Sequence, residues 1–276
     1  MSRTFHESDV VRDDWGRFAE HGGGGTADAW AQALSDRIGQ VNERNRAGYK
    51  PGGWRQVTYD EAVTTMAADM YRGGLEANPG YDKEELRRLC LDFAREQLPP
   101  SAHPVTLRNG AGQIMSRDPR VGAEELRQVA DLVDELHTRF PAPGRMMIGV
   151  FGDDFNMSHP DADGQTVHGE AFIQVKARVW ESNKTSADGF MPAQDDHDRW
   201  EYVLAHEWGH AIDNASPLDQ MLAQFDDHVH GLSAYGESSP REAYAEAFAE
   251  WFLTKGHTGN AAAKHYAQKF GWGEPW

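Results

Sequence analysis

Disulfide bridges, membrane spans and an excess of positive charge are all missing from this chain. Cys90 is the single cysteine in 276 residues, so no intrachain disulfide can form and a disulfide-stapled scaffold is excluded. No apolar run approaches the roughly 18 residues that a transmembrane helix needs. The opening stretch, MSRTFHESDVVRDDWGRFAE, is polar and acidic without an apolar core, which argues against a Sec signal peptide. Cytoplasmic synthesis is the expectation, and a virion-associated protein or one exported by a non-Sec route would read the same way.

Basic residues number 27 against 44 acidic ones, a net charge of −17. Such a field repels phosphate backbones and anionic lipid, so neither nucleic acid nor a membrane is the expected partner. A protein or peptide substrate, or a cation, is attracted instead, and oligomeric state is left open by composition. Hydrophobic residues make up 39%, enough to bury a core in one large domain or two small ones.

Three regions follow from the patterning. Residues 1–55 read as an N-terminal arm, with a glycine run at Gly22–Gly25, a helix over Asp28–Glu43 and a break at Tyr49–Trp54. Residues 56–140 read as a mainly helical region. Thr58-x-x-Glu61 and Asp82-x-x-Glu85 are helix starts, and Leu126, Val129, Ala130, Val133 and Leu136 share one face of a third helix.

Strands are expected only after Pro141, in the region 141–276. Arg145–Phe151 is a short apolar strand. His168–Trp180 alternates, with Ala171, Ile173, Val175, Ala177 and Val179 facing inward and Gln174, Lys176 and Arg178 facing solvent, as a strand at or near a sheet edge would. Helices return from Asp198. The whole predicts an α+β fold: a mainly helical N-terminal half, then a small sheet and two chemistry-bearing helices.

His206-Glu207-Trp208-Gly209-His210 is the sharpest motif. On a helix, residues four apart share a face, so both imidazoles can reach one metal ion while Glu207, on the adjacent flank, deprotonates a metal-activated water. At this composition roughly 0.04 such matches arise by chance, so a third ligand has to decide. The metzincin continuation fails, because Asp213 and Ser216 stand where Gly and His are required.

Ser239-Pro-Arg-Glu242-Ala-Tyr-Ala-Glu246-Ala-Phe-Ala-Glu250 supplies carboxylates instead, with Ser239 at the N-cap and Pro240 at the first helical position. One role open to Glu242 is that of capping-box partner to Ser239 and nothing more. But Glu242, Glu246 and Glu250 line up at i, i+4 and i+8 without a cation, a repulsive arrangement that a dipositive ion would reverse. Two imidazoles and one carboxylate leave zinc, one per chain, with an open fourth position.

HEWGHAID followed by SAYGESSPREAYAEAFAEWF resembles the gluzincin-type zinc metallopeptidase domain of the anthrax lethal factor-like family, over about residues 198–254. The resemblance implies a zincin-like fold for 141–276 and the activity of a zinc-dependent endopeptidase. By residue, it implies His206, His210 and Glu242 as zinc ligands, Glu207 as general base and Tyr235 as a donor to the oxyanion. Glu246 matches a carboxylate that steadies a ligand histidine, and Asp213 a structural acidic residue. Zincin-type peptidases also hold substrate against an edge strand before the metal helix, a role open to 168–180. The alternatives are an inactive zincin-fold protein that keeps its zinc for structure, and an interaction module whose glutamate face is merely solvated.

Asp161-x-Asp163-Gly164 lacks the rest of a calcium loop and reads as a solvated turn. His228 and His230, two apart, point different ways on a helix. Cys90 lies between Leu89 and Leu91 on an amphipathic helix and reads as buried and inert, and Trp200, Trp208 and Trp251 read as scaffold.

Overall fold

In a computed structural model of the chain, the described residues are 52–77, 80, 82–97, 105–109, 112–141, 146–155, 157, 162–167, 172–181, 197–214 and 232–276. Residues 1–51 of the N-terminal arm 1–55, the histidines 228 and 230 and the segment 168–171 lie outside them.

Six short strands make one mixed sheet: β1 (Arg55–Gln56), β2 (Val105–Arg108), β3 (Gly112–Ser116), β4 (Met146–Phe151), β5 (Gly164–Val167) and β6 (Phe172–Lys176), in the order β1-β2-β3-β4-β6-β5. β3, β4 and β6 run parallel, while β1, β2 and β5 pair antiparallel to their neighbours. Helices α1 (Tyr59–Ala77) and α2 (Lys83–Gln97) precede β2, and α3 (Ala123–Arg139) links the parallel pair β3 and β4. α4 (Arg199–Asn214), α5 (Pro240–Leu253) and α6 (Ala261–Phe270) follow the sheet.

The period-two alternation of strands sorts side chains onto two faces. Ile114, Ile148, Val150, Ile173 and Val175 join the core formed with α3, α4 and α5. Met115, Met147, Phe151 and Phe172 join a second core with Val63 and Met66 of α1 and Cys90 and Ala94 of α2. Helices therefore pack against both faces of the sheet.

Two strand expectations are corrected. Strands begin well before Pro141, because β1, β2 and β3 complete the same sheet as β4 to β6. β3 reads GQIMS, too short and too mixed in polarity to show a period, yet every position in it is buried. Within the 168–180 segment only Phe172–Lys176 is strand, and it lies near the edge, not at it, with β5 outside it in the described sheet. β6 lies between β4 and β5, ends at Lys176 and gives way to a 3-10 turn over Ala177–Trp180. Gln174 and Lys176, expected in solvent, are buried, and Gln174 accepts a hydrogen bond from Gln165 of β5 at 3.2 Å.

The helix starts behave as their sequences dictate. Thr58 Oγ1 accepts from the Glu61 amide at 3.3 Å and Asp82 Oδ1 from the Glu85 amide at 2.8 Å. Asp163, read as a solvated turn residue, is an ion-pair hub: it accepts from Arg178 Nε at 2.6 Å and from Arg199 at the start of α4. Cys90 is buried.

His137, in the last turn of α3, is 4% exposed and meets the Trp208 ring edge-on at a centroid distance of 6.0 Å. Burial pushes its imidazole down to about 4, against the weaker pull of Asp134. The unfolded chain therefore binds this proton first as pH falls, and folding free energy is lost between about pH 6.5 and 4. Urea unfolding should show a loss of about 1 kcal/mol between pH 7 and 5.5 from this group, absent in His137→Phe. An identical pH slope in the variant would assign the loss elsewhere.

Candidate metal centre

α4 and α5 cross closely because each gives up bulk at the contact. A Cβ on Gly209 would stand 3.1 Å from the Ala245 Cα and 3.3 Å from the Phe248 Cβ. On a neighbouring side of α4, Trp208 is fully buried and donates its indole N–H to the Phe140 carbonyl at 2.9 Å. The helix is thus locked in rotation, with His206 and His210 turned toward α5. α5 starts where its sequence says: Ser239 Oγ accepts from the Glu242 amide at 3.2 Å, with Pro240 next.

The Glu242 side chain does not turn back to its cap. Its Oε2 lies 3.1 Å from His206 Nε2 and 3.3 Å from His210 Nε2, and the two ring nitrogens are 3.1 Å apart. Metal–ligand bonds of about 2.0–2.1 Å in tetrahedral geometry require donor atoms roughly 3.3 Å apart. The triangle matches one face of that tetrahedron, and His206, His210 and Glu242 form a group able to hold a metal ion. Burial opposes ionisation of Glu242, but hydrogen bonds from both histidines hold its carboxyl well below the usual carboxylate range. Burial favours a neutral His206, yet Glu242 and the charges of Glu207 and Glu246 push its pKa up. Negative charge here outweighs burial, which is the field a cation needs.

Glu207 is 6% exposed and flanks the triangle, its charge felt by both His206 and Tyr235. Tyr235 sits in the turn before α5 with its ring centroid 6.0 Å from that of His206. Burial and Glu242, to which its hydroxyl hydrogen-bonds, push the Tyr235 phenol up, so it stays protonated and able to donate.

Glu246 is fully buried, and its carboxylate accepts from the Ser233 amide at 3.1 Å and from the Ser233 hydroxyl. Ser233 Oγ in turn accepts from the Tyr235 and Gly236 amides at 3.2 and 3.1 Å. Gly236 is required here, because a Cβ would lie 2.3 Å from Glu246 Oε2. Burial pushes the Glu246 carboxyl up, partly offset by Ser233. Among the described residues, the buried His206 Nδ1 has no hydrogen-bond partner, so Glu246 reaches that ring through its charge and through the Tyr235 turn.

Glu250 is buried as well and accepts from the Thr258 hydroxyl. With Glu246 and Glu250 both inside, the glutamate face of α5 is not a solvated surface. Asp213, 1% exposed, lies 3.8 Å from Arg241 Nε and adds its charge to the burial that pushes the Tyr244 phenol up.

Two residues of this centre were not singled out by the sequence, and one of them, Thr166, carries no motif at all. Thr166 Oγ1 lies 2.7 Å from Glu207 Oε2, from a strand 41 positions upstream. Ser233 is legible only as the first letter of the Ser-x-Tyr-Gly run. No helix among the described residues is long and apolar enough to cross a membrane. No protein family, curated protein or solved structure matches the chain.

Proposed function

We propose that the protein is a zinc-dependent endopeptidase of gluzincin type, with a protein or peptide as its substrate. The observation that carries this reading is the His206–His210–Glu242 triangle, spaced for one tetrahedral ion. The sequence resemblance to the lethal factor-like metallopeptidases supports it, and so does Glu207 beside the triangle. Structural zinc sites are usually closed and cysteine-rich, whereas two histidines and one glutamate leave a position for water or substrate.

His206, His210 and Glu242 would hold the zinc, which when bound acts as a Lewis acid on a carbonyl and on water. Glu207 takes the proton of the attacking water and returns it to the leaving amine. Tyr235 donates its hydroxyl proton to the oxygen that becomes negative, an interaction typically worth about 3–4 kcal/mol. Glu246 holds the turn that presents Tyr235. Substrate backbone pairs with β5, which ends the described sheet beside Glu207.

The test is metal analysis of the purified protein together with digestion of casein. About one zinc per chain is expected, with cleavage stopped by a chelator and restored by zinc. Zinc without cleavage would mean a structural site, and no zinc after reconstitution would end the metal reading.

A further inference from the structure

Strand β5 reaches the metal helix through two residues. Gly164 and Thr166, two apart, present the same face to α4. At Gly164 an added Cβ would stand 2.8 Å from Glu207 Oε1, 2.9 Å from Glu207 Cγ and 2.7 Å from Val203 Cγ1, so only a residue without a side chain lets the strand come this near. At Thr166 the hydroxyl is 2.7 Å from Glu207 Oε2 and 2.8 Å from the Glu207 carbonyl oxygen. The hydroxyl has one proton, and the charged, nearer carboxylate is the stronger of these two acceptors, so among the described residues the hydrogen bond to the Glu207 carboxylate comes from the sheet edge, not from α4 or α5.

A glutamate side chain has three rotatable bonds, the last of them with a broad, roughly two-fold preference. A buried general base needs that freedom removed, because proton transfer requires a heavy-atom separation of about 2.6–3.2 Å. A hydroxyl donating to a carboxylate is a charge-assisted bond, short and directional. It engages one oxygen and leaves the other, Oε1, on the side cleared by the missing side chain of Gly164.

We propose that Thr166 is the positioning residue of Glu207: its hydroxyl occupies Oε2 and assigns Oε1 as the oxygen that takes the proton. This rests on the peptidase reading for the identity of the proton, but not for the placement of the carboxylate. The edge that receives substrate and the group that orients the base are then the same four-residue strand. A peptide paired with β5 acts on the base through Thr166, one bond away.

The experiment compares the zinc-loaded wild type with Thr166→Ser and Thr166→Val. Serine keeps the hydroxyl, whereas valine keeps the shape and removes the donor. Crystal structures should show one position for the Glu207 carboxylate in the wild type and in Thr166→Ser, and a displaced or split carboxylate in Thr166→Val, with zinc content equal in all three. On a fluorogenic peptide taken from a casein cleavage site, Thr166→Val should lose about 10–100-fold in kcat with KM unchanged, and Thr166→Ser should restore it. An unmoved carboxylate in Thr166→Val would overturn the proposal, as would equal displacement in the serine variant. If the wild type cleaves nothing, the peptidase reading fails, and the carboxylate positions still decide the role of Thr166.

Discussion

Replacing Glu207 by glutamine is expected to lower peptide hydrolysis by about 10²–10⁴-fold while the protein keeps its zinc. Glutamine has the shape of glutamate, so it fits the space bounded by Val203 and the bare backbone of Gly164. Its side-chain carbonyl can still accept from Thr166, so strand β5 and helix α4 stay in place. What disappears is the lone pair that receives a proton at neutral pH. Because Glu207 lies outside the His206–His210–Glu242 triangle, metal content should not change. The check is initial rates beside metal analysis on the same preparation. Wild-type rates in this variant would exclude Glu207 as the base, whereas a loss of zinc would mean that it helps to hold the ion.

The second large effect is expected at Glu242. Glu242→Ala removes one corner of the donor triangle and should reduce zinc to well below one per chain, abolishing cleavage with it. The fold should survive, because the Ser239 cap takes the backbone amide of residue 242, which alanine retains. A second readout compares wild type and variant with metal removed from both. The Tyr235 phenol is held up by burial and by Glu242, so in Glu242→Ala its ionisation should move back toward the ordinary tyrosine value, followed by ultraviolet absorbance. Full zinc content in the variant would remove Glu242 from the ligand set. An unmoved Tyr235 titration would instead separate the tyrosine from the carboxylate.

The contrast between what the sequence disclosed and what it withheld is one of distance along the chain. His206, Glu207 and His210 sit within one helical turn or so, where spacing alone fixes relative direction. Glu242 was legible because Ser239 and Pro240 mark where its helix begins, and the helix period then sets its face. The edge of the sheet was not. Gln174 and Lys176 alternate with apolar neighbours as solvent-facing residues do, but they are covered in β6 because β5 pairs beyond it and a second layer of helices packs on that face. Nothing local distinguishes a polar residue in water from one paired to a partner nine positions away, as Gln174 is to Gln165. Thr166 is the extreme case: its meaning lies 41 residues downstream, at Glu207. β3 was lost for a different reason. A central strand buried on both faces needs no alternation, and GQIMS offers none.

Trp180 closes the turn after β6, and Trp200 lies in the first turn of α4. Their rings stack at 5.7 Å with an interplanar angle of 7°. The stack, together with the Arg199–Asp163 ion pair, references the start of α4, and with it His206 and His210, to the sheet through side chains. The orientation of the two imidazoles is thus inherited from aromatic surface that has no chemistry of its own.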